Sequence, residues 1–95
     1  MPRFHFHIRT ASETIVDEEG AEIPNYDAAL VEAVRGARCL MKGEVARGTL
    51  YLDQSIEIHD ATGRHLTSVP FAEALRVVHH TEAPHEIAIP GQNCP

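Results

Sequence analysis

Four histidines stand in stretches with a two-residue period, and imidazole is the side chain here best suited to moving protons or ligating metals. His5 and His7 alternate with Phe4, Phe6 and Ile8. In an extended strand both rings point the same way, with Cα atoms about 6.5–7 Å apart. His59 follows Ser55-Ile56-Glu57-Ile58 with the same alternation, and His65 stands beyond the Asp60-Ala61-Thr62-Gly63 turn. If the two stretches are neighbouring strands, His5, His7, His59 and His65 share one face with Glu57. Neutral imidazoles beside a carboxylate suit Zn, Ni or Cu, and three or four converging ligands make a site. A solvent-facing H-x-H strand is more often a plain polar face or an interface. The whole metal reading depends on the two histidine strands being neighbours in register.

Other candidates are weaker. His79, His80, Glu82, His85 and Glu86 form a second histidine cluster, but they sit among Pro84, Pro90 and Pro95 in a stretch without periodicity. Asp17, Glu18, Glu19 and Glu22 are a carboxylate run that could hold a cation but reads first as a solvated turn. Ser12, Ser55 and Ser68 lack any nucleophile motif, and no HExxH, G-x-S-x-G, phosphate-binding loop or dinucleotide-binding glycine pattern occurs. No enzymatic activity and no required cofactor is therefore expected. Seven histidines in one short chain do predict a response to pH near 6.5.

These residues must be carried by one domain, since 95 residues match a common domain size. With 43% apolar residues the chain is globular in composition, and with 5% aromatics its core leans on Leu, Val, Ile and Ala. The net charge is −6, and the Arg and Lys residues are scattered singly. Nucleic-acid binding needs a basic patch to displace counterions, so it is not expected. No apolar run reaches the roughly 18 residues of a membrane span, and Met1-Pro2-Arg3 leads directly into strand without a signal-peptide stretch. Cys39 and Cys94 belong to no CxxC pair and read as a small helix hydrophobe and a tail thiol. A reducing cytoplasm is the expected compartment.

The elements follow from local chemistry. A first strand carries His5 and His7, and a second covers Thr14-Ile15-Val16. Asp17-Glu18-Glu19-Gly20 turns the chain, and Ala21-Glu22-Ile23 is extended before Pro24. A long helix starts at the cap Asn25, with Asp27 in its first turn. Leu30, Val34, Ala37, Leu40 or Met41, and Val45 form its predicted apolar stripe. Glu32 and Arg35 make an i,i+3 pair, and Gly48 is the favoured stop. A hairpin turning at Asp60–Gly63 follows, its second arm running from Arg64 to Val69 with Leu66 inward and His65 and Thr67 outward. Phe71, Leu75 and Val78 at i, i+4 and i+7 predict a short second helix. The class is α+β: two layers, a four-stranded mainly antiparallel sheet in the order β-β-α-β-β-α, both helices on one face. Residues 1–78 make the domain and 79–95 a tail.

Three segments also resemble, in order, a family of small bacterial domains of unknown function. They are Met1-Pro2-Arg3-Phe4 with Phe6-His7-Ile8, then Asp17 to Pro24 as a D-x-x-G-x-E-[LI]-P turn, and then Ile56 to Gly63 followed by Val69-Pro70-Phe71-Ala72-Glu73-Ala74-Leu75. The resemblance covers about residues 1–78 and implies a small cytoplasmic bacterial protein with no assigned activity. His5, where that family usually carries another aromatic, and the histidine-containing tail depart from its pattern. Residues and resemblance together predict a non-enzymatic protein-interaction or regulatory domain that self-associates, most simply as a homodimer. The alternative is a small transition-metal-binding protein using His5, His7, His59 and His65.

Overall fold

The computed structural model describes residues 1–78. The second histidine cluster, Cys94 and the 79–95 tail lie outside the described residues. Strand β1 (Arg3–Arg9) is followed by two short strands, β2 (Thr14–Ile15) and β3 (Ala21–Glu22). Helix α1 (Tyr26–Ala46), strands β4 (Ser55–Asp60) and β5 (His65–Pro70), and the single-turn helix α2 (Phe71–Ala74) complete the fold. The architecture is the expected α+β arrangement, but the sheet has five strands rather than four. Its order is β2-β1-β4-β5, with β3 also paired to β1.

The extra strand arises because the chain returns along β1 in two pieces. β2 pairs at Ile8 and Arg9, and β3 pairs at Arg3 and Phe4. Between them residues 16–20 leave the ladder, so the edge of β1 at Phe6 has no strand beside it. On its other edge β1 pairs antiparallel with β4 over six positions, from Phe4 opposite Asp60 to Arg9 opposite Ser55. This places the two histidine-bearing strands side by side.

α1 is built much as its local chemistry requires. Asn25 accepts a hydrogen bond from the Ala28 N–H at 2.8 Å, and Glu32 and Arg35 make the i,i+3 ion pair at 3.0 Å. The helix continues past Gly43 and stops at Gly48, whose φ of +93° suits glycine best. There the Gly48 N–H donates to Val45 and the Thr49 N–H to Glu44, the paired bonds of a Schellman motif.

The buried stripe agrees with expectation at Ala37 and Met41 and differs elsewhere. Ala29, Ala33, Ala37 and Met41 are buried, Leu30 and Val34 flank them, and Leu40 and Val45 are exposed at 39% and 59%. Three alanines in succession let the helix approach the sheet closely, so the contact line runs along them. Cys39 is also exposed rather than a core hydrophobe. The core adds Phe4, Ile23, Ile56, Ile58, Val69, Phe71 and Ala74.

Two further corrections fall in the last third of the chain. The register shifts between Ile58 and His59, so Leu66 is passed over and Thr67 stands opposite Ile58 on the helix-covered side, not outward. α2 is a single turn ending at Leu75, whose extended backbone leaves Val78 exposed at 51%. Among the described residues no helix is long and apolar enough to cross a membrane.

Candidate functional site

The face of the sheet away from α1 carries every described histidine. His5 pairs with His59 and His7 with Glu57 across β1 and β4, and His59 stands beside His65 across β4 and β5. Ring centroids run 6.2 Å from His5 to His7, 4.5 Å from His7 to His59, and 5.3 Å from His59 to His65. The first contact is stacked and the other two are edge-on. The four predicted residues therefore share one face, but as a row rather than around a point. Among the described residues no group of three or more His, Cys, Asp or Glu side chains could hold a metal ion.

Hydrogen bonds define what each ring can do. Nδ1 of His5 lies 2.8 Å from the Asp17 carbonyl, and Nδ1 of His59 lies 3.0 Å from the Gly63 carbonyl. A carbonyl only accepts, so both rings carry their proton on Nδ1 and keep a free lone pair on Nε2. His7 is the reverse. Its Nδ1 accepts the Asp17 N–H at 2.9 Å, so the neutral ring bears its proton on Nε2 and offers no lone pair there. Burial, then the neighbouring His59 and His5, hold its pKa below the usual histidine value.

His65 belongs to a separate network. Ser68 Oγ donates to Glu57 at 2.9 Å and Ser55 Oγ to the other carboxylate oxygen at 2.8 Å. His65 Nε2 lies 3.0 Å from Ser68 Oγ and 3.2 Å from Glu57. With the Ser68 hydroxyl donating to Glu57, the His65 Nε2–H faces the Ser68 and Glu57 oxygens as a donor. A serine activated for nucleophilic attack instead gives its proton to the imidazole, whose other nitrogen faces the carboxylate. This trio has the wrong order for that chemistry. Burial pushes the Glu57 carboxyl up, but the two hydroxyls, His65 and Arg9 outweigh it and leave its pKa below the ordinary value.

Asp17 is the residue that sequence reasoning missed. It fills the gap between β2 and β3: one carboxylate oxygen accepts the Phe6 N–H at 3.1 Å and the other the Gly20 N–H at 3.0 Å. Its own N–H and carbonyl engage His7 and His5. Burial raises its pKa, but those two backbone donors and the neighbouring histidines bring it below the usual carboxylate value. The bond to Gly20 was the available signal, since an Asp three residues before Gly in a D-x-x-G turn often accepts that N–H. Its reach to β1 is not local and had no signal.

A family model described as a domain of unknown function (DUF6894) matches residues 3–72, within the segment that carries the resemblance above. No curated protein and no solved structure matches the chain.

Proposed function

Since the chain belongs to the DUF6894 family of domains of unknown function, we propose from its geometry that it is a non-enzymatic protein-interaction or regulatory module that self-associates in the bacterial cytoplasm. One observation carries this reading: α1 and α2 pack on one face of the sheet, and no described element covers the other. That face is shallow, and its polar side chains are tied to one another or to backbone. Small-molecule sites are usually concave and largely apolar, whereas a broad, preorganised face suits a macromolecule.

A second copy is the simplest occupant. Arg9 stands exposed at one end of the β1–β4 ladder, and Asp60 and Glu18 lie toward the other. Two faces related by a two-fold axis can set each Arg9 against the acidic end of its partner. The β5 edge is a poorer docking line, because Pro70 has no N–H to offer an added strand.

Native mass spectrometry and light scattering on untagged protein test this. The expected result is a dimer that Arg9→Glu converts to monomer with an unchanged circular dichroism spectrum. A wild-type chain that stays monomeric at 100-fold dilution and at high concentration alike would sink the proposal.

A further inference from the structure

The edge of β1 is closed by side chains where a strand should be, and one of the bonds that close it needs an unprotonated imidazole. Residues 16–20 contribute no ladder bond to β1. Asp17 holds them there, through its carboxylate to Phe6 and through its backbone to His5 and His7, and the Arg3 guanidinium adds one bond to the Glu19 carbonyl. The bond from the Asp17 N–H to His7 Nδ1 has a chemical condition that the others lack. It exists only while Nδ1 keeps its lone pair. We propose that His7 is a proton-sensitive latch: its protonation turns the Nδ1 acceptor into a second donor facing the Asp17 N–H, and residues 16–20 let go of the β1 edge.

The groups around His7 pull in both directions. On β1, His5 repels a charged ring and Arg9 adds to that sign. On β4, His59 repels it at 4.5 Å between ring centroids, while Glu57, directly across the ladder, attracts it. From the connecting segment Asp17 attracts it, and Glu18 and, at the end of β4, Asp60 border the same depression with the same negative sign. His65 on β5 reaches His7 only through His59. The repulsion by His59 and His5 outweighs the attraction by Asp17 and Glu57, and it acts in the same direction as the donor-against-donor contact with the Asp17 N–H. Release breaks a chain of bonds, because losing Asp17 also strips the Phe6 N–H of its acceptor and His5 of its carbonyl.

Gly20 makes the segment responsive as a unit. A Cβ at that position would lie 2.7 Å from the Phe4 carbonyl and 2.9 Å from the His5 ring, so the loop sits flush against β1. At Gly20 the backbone therefore lies directly against β1, with no side chain between.

The test is an NMR titration of uniformly 15N-labelled, EDTA-treated full chain from pH 7.5 to 5.5. At pH 7.5 His7 should show the Nε2–H tautomer. As the ring protonates, hydrogen-exchange protection at Phe6, Asp17 and Gly20 should fall about tenfold or more on one shared midpoint. Protection at Ile56 and Ile58 should hold. His7→Asn offers a non-titrating oxygen near the Nδ1 position, and its protection should stay level across the same range. An Nδ1–H tautomer at pH 7.5 would overturn the proposal. So would protection that ignores the His7 titration, or a His7→Asn protein that loses protection on the wild-type midpoint. If His7→Asn does not fold, the first two wild-type readouts decide alone.

Discussion

Asp17 makes four hydrogen bonds, to Phe6, His5, His7 and Gly20, and no other acidic residue in its run does comparable structural work. Asp17→Ala strands two backbone N–H groups, so urea unfolding should show a loss of about 1–3 kcal/mol. The residue also bears on pH dependence. His7, Asp17 and Glu57 all have pKa values below their ordinary ones. A depressed pKa means the unfolded chain binds the proton more readily, so stability is present above the unfolded value and is lost as pH falls. His7 acts first, as pH drops below about 6.5, and the two carboxylates follow below about 4. Thermal unfolding scanned from pH 8 to 3 should therefore show a declining melting temperature in two stages. His7→Asn should remove the upper stage and leave the lower. That His5 and His7 share one side of β1 was legible in the alternating pattern, whereas their joining with His59 and His65 rested on the strand pairing. Their bonding was not, because tautomers follow from the backbone atoms they meet.

At the scale of elements, α1 shows where periodicity informs and where it misleads. Both caps were legible, since Asn25 and Gly48 act on groups within five residues of themselves. The stripe was legible at Ala37 and Met41 and displaced by one position in the first half, because hydrophobicity ranks Leu30 and Val34 above Ala29 and Ala33 while packing selects the side chain that lets the helix sit closest. Met41→Ala should cost about 2–4 kcal/mol, and Leu40→Ala under about 1 kcal/mol. Chemical denaturation of the pair tests which stripe is real. The β2–β3 return carries its own test. Gly20 has φ +69°, where an added Cβ costs roughly 1–2 kcal/mol before any clash with the Phe4 carbonyl. Gly20→Ala should accordingly destabilise by about 2 kcal/mol or more. It should also weaken the exchange protection of Phe6.

For the whole molecule, the uncovered sheet face and the charge separation along it set the expected assembly. An Arg9-mediated dimer should weaken as salt is raised from about 0.05 to 1 M, since the Debye length contracts to about 3 Å. Sedimentation velocity across that range measures it. A dimer held by apolar contacts would be indifferent to salt or tighten with it.

Local chemistry settled much of this protein before any fold was known. The alternation in β1 and β4, the Asn25 cap, the Gly48 stop and the Asp60–Gly63 turn each depend on atoms a few residues apart, and sequence displays those directly. Tertiary structure decided the rest. It paired β1 with β4 across the intervening helix and so joined two histidine strands into one row. It interrupted the return strand and set Asp17 into the gap, and it centred the contact line of α1 on Ala29, Ala33, Ala37 and Met41 with Leu30 and Val34 at its flank. Each of these is a contact between residues distant in the chain, chosen by fit and by the need to satisfy backbone donors, and neither leaves a periodic trace in sequence.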